Sequence, residues 1–289
     1  MTGWLFAAPA LLGLAFFVLL PFLLAFALSF TNLRLGSPLP LKFMGISQYR
    51  RLLADPAFLY ALRNNGTFAL LVVPIQTALA LLLALLINRP LRGMVVFRTL
   101  FFMPVVFPLS LVAVVWILIF APGPDGMLNS LLSLLTFGHW TPLDFLHNER
   151  YALPAITLTS IWQGAGFQMV ILLAALQAIP AELYEAAQTD GAGRRQQFLH
   201  ITLPQLRNAL IFVVLVTTIL AFRLFDQVQI MTGGGPNHAT TTVMYETVNA
   251  AFRSQQVARG AAMTVVFFGI VLALTLLQRL FLRQQSEIQ

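Results

Sequence analysis

Apolar residues run along this chain in long unbroken stretches, not in the alternating pattern of a half-buried strand. Six stretches are long enough for a bilayer core, which takes about 20 residues per helix. They cover roughly 4–30, 67–87, 100–120, 152–178, 209–231 and 260–282. Their edges carry helix-stopping or turn-forming residues: Asn32; Asn88, Arg89 and Pro90; Pro122, Gly123 and Pro124; Pro180; Gly233 to Pro236. In hydrocarbon the backbone must satisfy its own hydrogen bonds, so each span is predicted helical; the alternation of a barrel strand is absent. The pattern predicts an all-α membrane helix bundle with six transmembrane helices, a single domain over 1–289.

Several predicted helices contain proline: Pro9, Pro21, Pro74, Pro104, Pro108 and Pro154. The plainer reading is tolerated kinks, which membrane helices accommodate; the sharper reading is hinges of a moving channel. Ala25, Phe26 and Ala27 imitate a signal-cleavage site, but no Lys or Arg precedes Arg34 and the first apolar run exceeds a signal h-region. A retained membrane helix is the better reading. Six spans put both termini on one side. If that side is the cytoplasm, Lys and Arg divide evenly between inner and outer segments. Density tips the balance: Arg89, Arg92 and Arg98 sit in one short loop, where charge bias is read best. Both termini are therefore expected in the cytoplasm, with the chain multi-pass in the cell inner membrane.

Composition agrees with the pattern. Apolar residues make up 58% of the 289 residues and charged residues only 9%, against roughly 25% charged in soluble domains. So few charges cannot cover a water-soluble fold, which excludes a soluble enzyme and a disordered chain. The net charge of +7 is spread between apolar runs, so it does not read as a nucleic-acid face. With no cysteine, disulfides and Cys-ligated metals are excluded.

Catalytic chemistry finds little footing. The single lysine, Lys42, precedes Phe43, so there is no phosphate-binding P-loop. His139, His147, His200 and His238 stand far apart and are read as lacking a carboxylate partner, hence no metal site. No catalytic residue is assigned, and no cofactor is expected in the chain. Intramembrane charge is nearly absent. Arg223 and Asp226 near the end of the fifth span are the exception, able to pair at i,i+3 on a helix face. An ion-coupled carrier usually shows buried carboxylates; one pair near a helix end supports that poorly. Gln76, Gln163, Gln168 and Gln177 lie inside spans. They are either candidate substrate-path residues or, the stronger reading, hydrogen-bonding glue between helices.

The most informative segment is 180–204, PAELYEAAQTDGAGRRQQFLHITLP. Pro180 fits a helix start, and Glu182 and Glu185 favour the positive helix end. Asp190 and Gly191 then break the helix, with glycine free to take positive φ. Arg194 to His200 can form a second short helix, and Pro204 can begin the fifth span. Ala186 and Ala187 leave a small, flat patch that a partner can approach closely.

Glu185, Ala186 and Ala187, then Asp190, Gly191 and Ala192, then Ile201, Leu203 and Pro204 resemble the EAA motif of binding-protein-dependent ABC importer permeases. Agreement at all nine positions by chance is on the order of one in a billion per window, at about a tenth per residue type. A second stretch narrows the resemblance to carbohydrate-type permeases of the maltose and glycerol-3-phosphate class: Met231 to Pro236, then Thr240 to Thr242, then Ala251 and Phe252. By itself this glycine-rich loop reads as no more than a flexible turn. Further matches are Ser29-Phe30-Thr31, Gly45 with Tyr49, Asp55-Pro56 with Phe58, and Leu176-Gln177 with Ile179-Pro180. The departures are the missing basic N-terminal tail and Leu20 where a tyrosine often precedes Pro21.

The resemblance implies half of a translocation pathway for a sugar or sugar derivative, completed by a second permease. It implies two ATPase subunits that bind the ATP, and an extracytoplasmic sugar-binding protein. Glu185, Ala186, Ala187, Asp190, Gly191 and Ala192 would form the cytoplasmic ATPase-coupling segment. The alternatives are an ion-coupled secondary transporter, which should show intramembrane ionisable residues and inverted repeats, and a membrane-embedded enzyme, which needs a catalytic cluster.

Overall fold

The computed structural model describes residues 2–88 and 93–284. Arg89 and Arg92, on which the charge-density reading leans, lie outside the described residues. Helix α1 (Thr2–Leu14) passes through a π turn, Ala15–Leu19, into α2 (Leu20–Leu28). Then come α3 (Ser47–Leu53), α4 (Pro56–Ile87), α5 (Met94–Val106), α6 (Leu109–Ile119), α7 (Met127–Leu135), α8 (Ala152–Gln177) and α9 (Ala181–Thr189). The rest are α10 (Arg194–Gln197), α11 (Leu203–Gln205), α12 (Arg207–Phe222), α13 (Val243–Val248) and α14 (Val257–Gln284). A single antiparallel bridge, Thr31 to Phe43, is the extended pairing found among the described residues.

Four helical stretches, Phe6–Leu28, Pro56–Ile87, Ala152–Gln177 and Val257–Leu280, are long and apolar enough to cross a membrane. Two bent pairs raise that number to six if each pair is one span. The third predicted span is therefore not a straight helix. Met94–Val106 and Leu109–Ile119 meet at 100°. Phe107 is extended (ψ 139°), as the residue before a proline is driven to be; Pro108 then opens α6. The fifth predicted span also differs. Arg194–Gln205 and Arg207–Phe222 meet at 63°, so the apolar helix begins after the bend, not at Pro204. Pro204 cannot donate to the carbonyl one turn earlier, and a π turn, Phe198–Thr202, precedes it; both are recognised causes of kinks. By contrast α4 runs unbroken through Pro74.

The chain divides into two compact units, Met1–Arg63 with Thr241–Leu274, and Asn64–Thr240 with Thr275–Gln289. The first is built around Leu52, Phe58, Ala61, Val243, Ala250 and Met263. Several residues that carry the resemblance have structural work here. The Ser29 and Tyr49 hydroxyls share a hydrogen bond of 2.5 Å. Asp55 accepts from the Ala57 N–H at 3.1 Å and pairs with Arg259. A Cβ on Gly260 would stand 2.8 Å from that of Ala251, so glycine lets α14 lie close to the Asn249–Arg253 turn.

The second unit centres on α8, which buries Met169, Leu172, Leu173 and Leu176 against Ala80, Ala84, Leu206 and Val213. Small residues let its neighbours approach. A Cβ on Gly166 would lie 2.0 Å from the Phe101 carbonyl oxygen; the backbone of α5 occupies that space, the close approach small residues permit in membrane bundles. With 26 residues at about 1.5 Å per residue, α8 exceeds the roughly 30 Å hydrocarbon core. The segments 120–151 and 178–206 flank its two ends.

Candidate functional site

Two features stand out in the second unit: a cavity beside α8 and the exposed helical turn beyond it.

The cavity has a volume of about 450 Å³. Its apolar walls include Phe68, Val72, Phe167, Ile171 and Leu220. Gln76 comes from α4, Ser160, Gln163 and Gln168 from α8, Thr217 from α12, and Gln227 from the segment after it. The three glutamines singled out in the sequence, Gln76, Gln163 and Gln168, all line it; Gln177 instead is exposed at the far end of α8. Gly164 makes room for Gln76, since a Cβ there would stand 2.4 Å from its Nε2.

Gln168 serves partly as interhelical glue: its Nε2 donates to the Thr217 hydroxyl, which donates in turn to the Val213 carbonyl at 2.6 Å. Its Oε1 is buried without a protein partner, as is Nε2 of Gln227. The Gln227 Oε1 accepts from the Ser160 hydroxyl at 2.9 Å. Both atoms are closed off from solvent, so one unused acceptor and one unused donor lie within the cavity wall. Ser160, Thr217 and Gln227 escaped the sequence reading. They come from separate elements, and periodicity along one helix does not say which face meets which neighbour.

Arg223 and Asp226 also line the cavity, but not as an i,i+3 pair. Helix α12 ends at Phe222, Arg223 caps it at φ −85°, ψ 12°, and the next helical residue is Asp226 itself. The break separates the two side chains, and they form no ion pair.

The segment after α8 folds as a helix, a turn and a second helix. Pro180 is extended (ψ 133°) and opens α9, with Glu182 in the first turn. Gly191 takes φ +78°, with the Ala192 N–H donating back to the Ala187 carbonyl at 2.8 Å, a glycine C-terminal stop. The Tyr184 and Thr202 hydroxyls share a hydrogen bond of 2.9 Å, and Gln197 Nε2 donates to the Ala192 carbonyl at 2.9 Å. The first ties α9 to the π turn Phe198–Thr202, and the second ties the glycine turn to α10. Glu185, Ala186, Asp190 and Gly191 are exposed, while Ala187 and Ala192 are half-buried. Arg194 and Arg195 are exposed on the same segment.

At the opposite end of α8, the glycine-rich loop is closed by its own hydrogen bonds. Gly233 and Gly234 take φ of 59° and 83°. The Thr240 hydroxyl donates to the Gly235 carbonyl and bonds the Thr232 hydroxyl, both at 2.7 Å. Asn237 donates to Glu149, and Asn64 to the His238 carbonyl at 2.8 Å. One histidine corrects the sequence reading: His147 does have a carboxylate partner, with Nδ1 3.0 Å from Asp144 Oδ1. Partial burial pushes the Asp144 carboxyl up, but the His147 backbone N–H and ring outweigh it and hold it below the usual carboxylate range. Among the described residues no group of three His, Cys, Asp or Glu could hold a metal.

Residues 76–286 match the family described as binding-protein-dependent transport system inner membrane component. The chain is 34% identical to the probable ABC transporter permease YurN of Bacillus subtilis, across 98% of this chain and 97% of that protein. It is 36% identical to the lactose transport permease LacF of Rhizobium radiobacter, across 88% and 84%. Its fold matches a subunit of a bacterial alginate ABC transporter, solved in complex with an alginate pentasaccharide-bound periplasmic protein. The TM-score is 0.83 at 21% identity, covering 98% of this chain and 95% of that one. Matched along nearly its whole length, the chain belongs to the binding-protein-dependent inner membrane components: it is a multi-pass membrane subunit of an ABC importer, a permease and not an enzyme.

Proposed function

We propose that the chain crosses the inner membrane six times, with both termini in the cytoplasm, and forms half of a sugar pathway. A second permease supplies the other half as a heterodimer. Two ATPase subunits bind the ATP and dock on the cytoplasmic face, and an extracytoplasmic binding protein delivers the sugar. The partners are proteins and the lipid bilayer; nucleic acid has no place in this scheme. The observation that carries the reading is the exposed turn of Glu185, Ala186, Asp190 and Gly191. It is hydrogen-bonded into one piece and inserted between α8 and α12, two of the helices that line the cavity.

ATP binding would draw the ATPases together and carry this docked segment with them. The attached helices would tilt and expose the cavity alternately to each side, a rigid-body two-state transition. The cavity suits a polyhydroxylated cargo. A hydroxyl both donates and accepts, so sugar hydroxyls can pair with the polar side chains that line the cavity, Gln163, Ser160 and Gln76 among them. The aromatic walls offer flat surfaces to a sugar's C–H face. Lactose and alginate are the cargoes named for the relatives, which supports the carbohydrate class. The secondary-transporter alternative is not favoured, because the family and the curated relatives are ABC importer permeases.

The test is sugar uptake together with ATPase co-purification for Glu185→Ala and Gly191→Val at matched membrane abundance. Neither change touches an apolar span, so insertion and pairing with the second permease should survive while ATPase retention or uptake falls. Wild-type uptake with full ATPase recovery in both variants would reduce the segment to a linker.

A further inference from the structure

The segment between α6 and α8 carries α7, and one face of α7 is left uncovered by the rest of the chain. Met127, Leu131, Leu134 and Leu135 share that face at helical spacing and are all exposed, Leu134 at 74%; Phe137, just past the helix, is 92% exposed. The other side is fixed. Asn129, only 1% exposed, donates through Nδ2 to the Ala121 and Leu143 carbonyls at 3.3 and 2.9 Å. Its Oδ1 accepts from the Leu143 N–H and from Trp140 Nε1, each at 3.0 Å. With the whole amide engaged, the helix cannot roll its apolar face inward without breaking buried hydrogen bonds.

Three observations say what covers this face. Helix α7 packs beside α6, half of a bent membrane span, and α6 presents exposed Leu111, Val114, Val115 and Leu118; the apolar surface thus continues from α6 into α7. The same end of α6 carries an aromatic cluster, Trp116 on Phe120 and Trp162, Phe120 on Phe145, and Phe145 on Tyr151. Trp and Tyr collect at the membrane–water boundary. No charged side chain occurs between Asp125 and Asp144, and the exposed face is aliphatic apart from Phe137. A protein-docking patch would instead bring Arg or Tyr anchors and a polar rim.

We propose that α7 lies in the bilayer interface, with Met127, Leu131, Leu134, Leu135 and Phe137 among the lipid acyl chains, and holds the end of the broken α5–α6 span at a set depth. Lacking Lys and Arg, it is held by apolar burial and not by attraction to anionic headgroups.

The chain has no cysteine, so Leu134→Cys, Met127→Cys and, as an aqueous reference, Asp125→Cys each carry one environment-sensitive fluorophore. The assembled transporter is placed in phosphatidylcholine nanodiscs with and without phosphatidylglycerol. The expected result is blue-shifted emission at 127 and 134, quenching by shallow spin-labelled lipid, and severalfold weaker quenching by iodide than at 125. Neither added salt nor the binding protein should change it. Iodide quenching at 127 and 134 equal to that at 125 would overturn the proposal. So would shielding that appears only when the binding protein is added, or only with phosphatidylglycerol; the first would make the face a protein-docking surface and the second an electrostatic one.

Discussion

At the scale of single residues, three glycines make separable predictions. A Cβ on Gly191 meets nothing within 4 Å, but its φ is +78°. Gly191→Ala should therefore cost about 1–2 kcal/mol of local stability through backbone strain alone, read as faster proteolysis of the segment with intact insertion. On Gly166 the added carbon meets backbone, Phe101 O at 2.0 Å, which cannot swing aside. Gly166→Ala should destabilise by roughly 1–3 kcal/mol, visible as a lower melting temperature in detergent. On Gly164 the obstacle is the end of a flexible side chain, Gln76 Nε2 at 2.4 Å. Gly164→Ala should leave the melting temperature nearly unchanged and raise the half-saturating sugar concentration for uptake; the reverse pattern would remove Gln76 from the site. The positive φ at Gly191 was legible in the sequence because Asp190-Gly191 after a helix is a local signal. The roles of Gly164 and Gly166 were not, since they depend on which neighbour lies across from α8.

At the scale of elements, the coupling segment should move as one body, because Tyr184 and Thr202 join α9 to the following π turn. Tyr184→Phe removes that bond, worth about 1 kcal/mol, without disturbing the exposed Glu185 or Asp190. The expected outcome is ATPase recovery at wild-type level but weaker stimulation of hydrolysis by loaded binding protein. Lost recovery would place Tyr184 in the docking surface itself. The existence of the helices was readable from apolar length, but their angles were not. Pro108 announces an extended residue before it, whereas the size of the bend, 100°, depends on the separate packing of α5 and α6 against α8. Helix α4 begins at Pro56, well before the apolar run, because Arg63, Asn64 and Asn65 masked its first turns. The short helix α7 has neither the length nor the apolar density of a span, and so went unread.

At the scale of the whole molecule, the absence of a P-loop makes a firm prediction. The purified chain alone should hydrolyse no ATP, and ATPase activity in a homogeneous preparation would contradict the assignment. Orientation is equally open to test. Arg194→Cys should be protected from an impermeant reagent in intact cells, and Gly233→Cys, at an exposed position of the glycine-rich loop, should be labelled; the opposite pattern would invert the membrane topology proposed above.

The most direct test of the importer reading is uptake in proteoliposomes containing this chain, its partner permease and the ATPases, with the sugar-loaded binding protein outside. Uptake should require ATP inside the vesicles, persist when a protonophore collapses the ion gradient, and fall to background with Gly191→Val at equal protein content. Uptake by this chain alone, driven by an ion gradient without ATP, would contradict the account.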